Sequence, residues 1–250
     1  MESISSIMPR MVFCILGNWS DFDLVSKTIK DAGFYFDKEE SFFGYDDRMG
    51  ESFDVSADRV NYSMTDEELQ QIRQHKAVGY FLAPESKNSD ELRNIAGKAL
   101  MLIERLFNGC NVIALKCESA GIAHGKSRWV ELSKKYKDDP ENALLYFYLA
   151  FVRRPIESEY GLYSCGMHLL GLPDILYFEG NRSDVESVKN MDQIAKLIMS
   201  NNGVYKKTIK ALKKTDIEVN ETKILPDEFH EEDTFMYNPY GFIYVDSEIE

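Results

Sequence analysis

The sequence predicts an α+β fold, and three observations lead there. Short apolar runs of strand length recur along the 250 residues, amphipathic stripes of helical period lie between them, and hairpin-like pairs break any strict alternation of strand and helix. A mixed, largely antiparallel sheet, covered on one face by amphipathic helices, is the expected architecture. A single α+β domain is expected across residues 1–250, because no repeat of fixed period and no Pro/Gly/Ser linker divides the chain.

Taken in order, residues 11–16 form the first strand candidate. Ser20-Asp21-Phe22-Asp23 then places a hydroxyl three residues before a carboxylate, a spacing that lets both side chains satisfy first-turn N–H groups. Phe22, Val25 and Ile29 share one stripe of the helix that follows, and Gly33 stops it. Residues 53–58 alternate apolar and polar, as an antiparallel strand with one wet face would. Thr65-Asp66-Glu67-Glu68 marks a second helix start, and residues 77–83 a further strand. From Ser89 the stripe Leu92, Ile95, Ala99, Leu102, Ile103 and Leu106 runs to Gly109, before a strand at Val112–Cys117. Residues 144–152, 175–178 and 242–245 are also strand candidates. Between the last two, Ser183-Asp184-Val185-Glu186 opens a stripe of Val188, Met191, Ala195 and Ile198 that ends near Gly203. A ferredoxin-like arrangement is among the α+β forms that fit this order.

Charge narrows the function. Forty-two acidic against 29 basic side chains give −13, yet residues 216–250 hold eleven of the acids and one lysine. The rest of the chain is near neutral. Nucleic-acid binding is disfavoured, because phosphate contacts need clustered Lys and Arg. No apolar run approaches the ~18 residues of a membrane span. The start, Met1-Glu2-Ser3-Ile4, lacks the pattern of a secretory signal. Cytoplasmic location is expected, with the widely spaced Cys14, Cys110, Cys117 and Cys165 as buried reduced thiols. The acidic segment reads as a solvated face or as a docking surface for a basic protein partner. Its aromatics (Phe229, Phe235, Tyr237, Tyr240, Phe242, Tyr244) predict that much of it packs.

Two stretches concentrate polar chemistry. Cys117-Glu118-Ser119-Ala120-Gly121-Ile122-Ala123-His124-Gly125-Lys126-Ser127-Arg128-Trp129 leaves a strand and enters a helix striped with Trp129, Leu132 and Tyr136. Residues 120–127 satisfy the loose phosphate-loop pattern, in which Lys126 would reach terminal phosphates and Ser127 would hold Mg²⁺. Against that reading, the loop sits mid-chain, and the one strand ending in an acid suited to Mg²⁺ is residues 242–246, closed by Asp246. The plainer alternative is a tight strand-to-helix turn capped by Ser127. The second stretch, residues 160–174, holds Cys165 and His168 at the spacing of a metal pair. Structural zinc sites carry two close-spaced pairs and this chain offers one, so neither a metal nor another cofactor is assigned. A Cys165 nucleophile activated by His124 or His168 is chemically available. The structural alternative is a small buried thiol with hydrogen-bonded imidazoles. His75 and His230 read as ordinary surface residues.

At these two stretches the chain resembles an uncharacterised bacterial family, domain-of-unknown-function family 4261. Residues 111–129 resemble its strand ending near Glu-Ser-Ala-Gly, followed by a His and a Trp-bearing helix. Residues 163–174 are similar to its Gly-Met/Leu…Gly-Leu-Pro-Asp/Glu element, and the stretch from Glu232 to Gly241 to its closing element. The resemblance covers most of residues 50–245. It implies an α+β fold, no known reaction, and an interest in Glu118, Ser119, Gly121, His124, Trp129, Gly166, Gly171 and Pro173. It does not support the phosphate-loop reading.

Two functions follow. One is a non-catalytic binding or partner-neutralising, immunity-like protein with an acidic face. The other is a small-molecule hydrolase with Glu118, His124 and His168 as acid–base groups and Cys165 as nucleophile, which requires these side chains to converge on one cleft. Both readings expect the loop after Val112–Cys117 and the Gly-Met-His turn to be neighbours.

Overall fold

The apolar run Val12–Gly17 forms β1, with every residue buried, so it lies inside a sheet. After it come α1 (Asp23–Asp31), β2 (Tyr35–Phe43), α2 (Arg48–Val55), α3 (Asp66–Ile72), β3 (Ala77–Leu82), α4 (Ser89–Gly109), β4 (Val112–Cys117) and β5 (Ile122–His124). The computed structural model describes residues 8–178 and 184–247. The first sheet has the order β2-β3-β1-β4-β5, and each neighbouring pair is antiparallel. Its units β1-α1-β2 and β3-α4-β4 interleave, so β4-β1-β3-β2 is the ferredoxin-like order. To this are added β5 at one edge and α2 and α3 between β2 and β3.

The chain continues through α5 (Lys126–Asp138), α6 (Ala143–Phe151), β6 (Arg153–Ser158), β7 (Gly161–Cys165), β8 (Asp174–Phe178), α7 (Asp184–Ser200), α8 (Tyr205–Leu212), β9 (Glu221–Leu225) and β10 (Phe242–Asp246). These strands form a second sheet of order β6-β7-β8-β10-β9. It is antiparallel except between β8 and β10, which run parallel and are joined by the crossover through α7, α8 and β9. Where the sequence pattern suggests one sheet, the described residues build two of five strands each.

One core joins them. It runs from Phe13 and Ile15 through α1, α4, Trp129, Leu132 and α6 to Ile175, Tyr177, Ile243 and Val245. A smaller cluster fills the opposite face of the first sheet, where Phe53 of α2 and Ile72 of α3 meet Cys14, Leu16 and Val78. The first sheet is therefore covered on both faces, not on one. Acidic residues 216–247 supply β9 and β10, and Phe242, Ile243 and Val245 are buried, so this segment packs as its aromatics predict.

Four local expectations change. Residues 53–58 are the end of α2 and a turn, because Met49 and Phe53, four apart, bury the same helix face. Residues 144–152 are α6: an apolar run without periodicity fits a buried helix as well as a strand, and its nine residues decide for the helix. The Thr65 capping box forms in full, with Glu68 reciprocating. The Ser20 box does not; Asp21 takes the Asp23 N–H at 3.0 Å instead. Ser183, the third proposed cap, lies outside the described residues. Ser127 is not a cap either. Gly125 occupies that position, Ser63 accepts its N–H at 3.0 Å, and Glu68 accepts the Lys126 N–H at 2.7 Å. Glu68 thus closes the starts of both α3 and α5.

Candidate functional site

Ser119 fixes the first of the two polar stretches. Its hydroxyl accepts the Val12 N–H at 2.9 Å and donates to the Arg10 carbonyl at 2.7 Å, tying the turn after β4 to the start of β1. Beyond Gly121, β5 pairs with β4 and also bridges Ala57, through Ala123 N–H to Ser56 O at 2.7 Å and Asp58 N–H to Ala123 O at 3.1 Å. That bridge delivers Asp58 to His124. The imidazole lies edge-on to Trp129 at 4.7 Å, and its Nε2–H donates to the Ala150 carbonyl at 3.1 Å. A carbonyl only accepts, so Nε2 carries the proton. Nδ1 faces Asp58 Oδ2 at 3.6 Å, and neither atom has a hydrogen-bond partner. Burial pushes the His124 pKa down to about 4, with the Asp58 charge pulling the other way.

The second stretch turns at Gly166, whose φ is +125° and whose missing Cβ would lie 2.1 Å from the Phe151 carbonyl oxygen and 3.0 Å from Ala120 Cβ. The two polar stretches are therefore neighbours. His168, two residues on, is also buried; Nε2–H donates to Phe235 O at 3.0 Å, and Nδ1 lies 3.7 Å from Asp174 Oδ2. Asp174 is an acceptor hub. Its Oδ1 takes the Ser164 hydroxyl at 2.7 Å and the Met167 N–H at 3.2 Å, and its Oδ2 takes the Asn238 amide at 2.6 Å.

Neighbouring stretches do not by themselves put these side chains in direct contact. Among the described residues, no hydrogen bond or ion pair joins any two of Glu118, His124, Cys165 and His168. Glu118 pairs with Lys116 at 2.9 Å, and the two histidines face different aspartates. Cys165 is fully buried, and burial, reinforced by Asp174 and Asp227, holds its thiol well above the usual range. Burial also pushes Cys14 up to about 12 and raises Cys117. All four cysteines are buried and free. No group of three or more His, Cys, Asp or Glu among the described residues is placed to hold a metal ion.

The phosphate-loop pattern has no free cradle. The Gly121, Ala123 and Gly125 N–H groups donate to Glu118 O, Ser56 O and Ser63 Oγ. The Glu68 carboxylate occupies the start of α5, where an anion would have to sit. Lys126 Nζ reaches the Phe107 carbonyl at 3.3 Å, and Ser127 is exposed. Asp246, the acid suggested for Mg²⁺, closes β10 in the other sheet.

Two histidines read as surface residues are not. His75 is buried, donating from Nδ1 to Ile72 O at 2.6 Å and accepting the Asp46 N–H at Nε2 at 3.1 Å. His230 is half-buried and donates from Nδ1 to Asp227 Oδ2 at 3.1 Å. Burial works against its protonation, but the Asp227 hydrogen bond and charge outweigh burial, and its pKa is raised. For His230 the carboxylate of Asp227, three residues before, was the available signal; His75 pairs with backbone groups and offered none.

A well-formed groove lies elsewhere among the described residues. Leu176 and Phe178 of β8, with Phe242 and Tyr244 of β10, turn away from the core and floor a groove of about 750 Å³. Ser158 at the end of β6, Glu159 and Tyr160 from the β6–β7 turn, Lys223 and Leu225 of β9, and Pro226, Glu228 and Phe229 complete its lining. Phe229 stacks on Tyr163 with ring centroids 4.7 Å apart and meets Phe242 edge-on at 5.3 Å. Behind it, Asp227 Oδ2 accepts the Asn238 N–H at 2.7 Å, and Asn238 reaches Asp174. The groove wall is thus tied by hydrogen bonds to the His168 site. Alternating positions of β8 and β10 carried this in the sequence, but only their pairing puts them on one face. No protein-family model, curated protein or solved structure matches this chain.

Proposed function

We propose that this chain is a non-catalytic cytoplasmic binding protein that takes a basic protein partner on its second sheet, in a partner-neutralising, immunity-like role. The groove of about 750 Å³ carries the reading: it is walled in part by the acidic segment and rimmed by the carboxylates of Glu159 and Glu228. The reactive groups of the hydrolase alternative favour binding as well. Its thiol is buried and held protonated, and its two imidazoles each donate to a backbone carbonyl. The resemblance to family 4261 adds the shared α+β frame to this proposal and names no reaction.

The test is titration calorimetry of the full chain with a lysine-rich basic protein at low and high salt. Binding should weaken at least about tenfold between roughly 50 and 500 mM salt. It should weaken comparably when Glu228, Glu231 and Glu232, all exposed, are changed together to Lys. Absence of binding at low salt, or binding indifferent to both changes, would overturn the reading.

A further inference from the structure

Resting on that binding reading, we propose that the groove anchors a single arginine side chain of the partner on the face of Tyr244, a place that Lys223 fills in the free protein. Lys223 is the one lysine or arginine of the acidic segment 216–250. It lies in the groove lining, with Nζ 4.7 Å from the Tyr244 ring centroid and 3.5 Å from a Glu221 carboxylate oxygen. Its side chain is 45% exposed, so it can swing out without breaking a core contact. The chain's own ammonium therefore marks the aromatic face that holds a cation.

The lining excludes other ligand classes. Among the described residues of the lining, an anion would meet the carboxylates of Glu159 and Glu228 with Lys223 alone to offset them. A neutral apolar ligand would fill the aromatic floor but leave those carboxylates without a counter-charge. A guanidinium satisfies both: it is planar, weakly hydrated, stacks on rings and donates to carboxylates. The groove's volume also accommodates a few residues of the peptide flanking the arginine.

The experiment titrates the full chain with a blocked ten-residue peptide carrying three arginines, and with its citrulline counterpart, which keeps the shape and loses the charge. The arginine peptide should bind at least about tenfold more tightly. Lys223→Gln, which vacates the ring, should tighten binding about two- to fivefold, and Tyr244→Leu should weaken it by a similar factor. Far-ultraviolet circular dichroism checks the Tyr244 variant, and the exposed Lys223 position tests the proposal even if that variant misfolds. If Glu228→Lys weakens the arginine peptide while Lys223→Gln leaves it unchanged, the anchor is wrong and the acidic-face reading stands. If the arginine peptide fails to bind but the lysine-rich protein binds, the anchor is again wrong alone. If neither binds, both fall.

Discussion

Each sheet buries one histidine against one aspartate, and the two pairs are alike until their last oxygen. In both, Nε2–H donates to a backbone carbonyl, Ala150 for His124 and Phe235 for His168. In both, Nδ1 faces a carboxylate oxygen, at 3.6 Å from Asp58 and 3.7 Å from Asp174. The difference lies in what the carboxylates do otherwise. Asp174 uses both oxygens, holding Ser164, Met167 and Asn238 together beneath the groove wall. Asp58 uses Oδ1 for the Val60 and Asn61 N–H groups and leaves Oδ2 with nothing but the imidazole opposite. One carboxylate is a structural hub. The other is a buried charge held for the sake of a loop turn.

The largest effect expected is acid loss of stability through His124. Its folded pKa, about 4 against an ordinary 6.5, means that the unfolded chain binds the proton first as pH falls. The His124 contribution should therefore be lost between roughly pH 7 and pH 4, by up to about 3 kcal/mol, while the carboxylates held low, such as Asp46 and Glu131, add their own loss at lower pH. His230 has the opposite sign: with its pKa raised, it contributes stability below 6.5 that is lost as pH rises through the higher folded value. Urea midpoints across pH for the wild type and His124→Gln separate the two. The variant should lose the acid-side slope and keep the alkaline one; an unchanged acid slope would assign the loss elsewhere.

Next in size is Asp174→Asn. An amide in place of this carboxylate turns one acceptor into a donor, set against either the Asn238 amide or the Ser164 hydroxyl and Met167 N–H. Losing the acceptor while leaving the donors buried should cost about 2 kcal/mol. Equilibrium urea unfolding measures this as a lower midpoint with an unchanged slope. A variant as stable as the wild type would remove Asp174 from its role as hub.

The comparison also marks where sequence reading stops. β1, β4, β8 and β10 were legible because each is an apolar run bounded by turn residues, and α4 because its stripe runs unbroken to Gly109. Helix α6 was not, since residues apolar on every side carry no period. The division into two sheets depends on pairings such as Tyr244 with Leu176, 68 positions apart, which local pattern does not encode. Polar burial followed the same division. The sequence singled out His124 and His168, but Asp58 lies 66 positions before its histidine and the Phe235 carbonyl 67 after the other, so neither could be named, whereas Asp174 stands in the same stretch as His168. The groove needed β8, β9, β10 and the β6–β7 turn assembled before its lining existed as a surface.

The smallest effect is the most discriminating, because its sign is opposite to that of Asp174→Asn. In Asp58→Asn, the retained carbonyl oxygen still accepts the Val60 and Asn61 N–H groups, at 2.9 and 3.1 Å in the wild type. The new amide N–H points at His124 Nδ1, which at neutral pH presents a lone pair with no donor. Arg154, whose charge also feels Asp58, keeps Asp192 at 2.6 Å, so no cation is orphaned. The substitution removes a buried charge and supplies a missing hydrogen bond, and it should leave stability unchanged or raise it by up to about 1 kcal/mol. It should also lower the His124 pKa further, because the carboxylate that raised it is gone. Urea unfolding at pH 7 reads the first effect, and the imidazole NMR titration reads the second. A loss of about 2 kcal/mol instead would mean that Nδ1 carries a proton in the folded protein and that Asp58 holds an imidazolium.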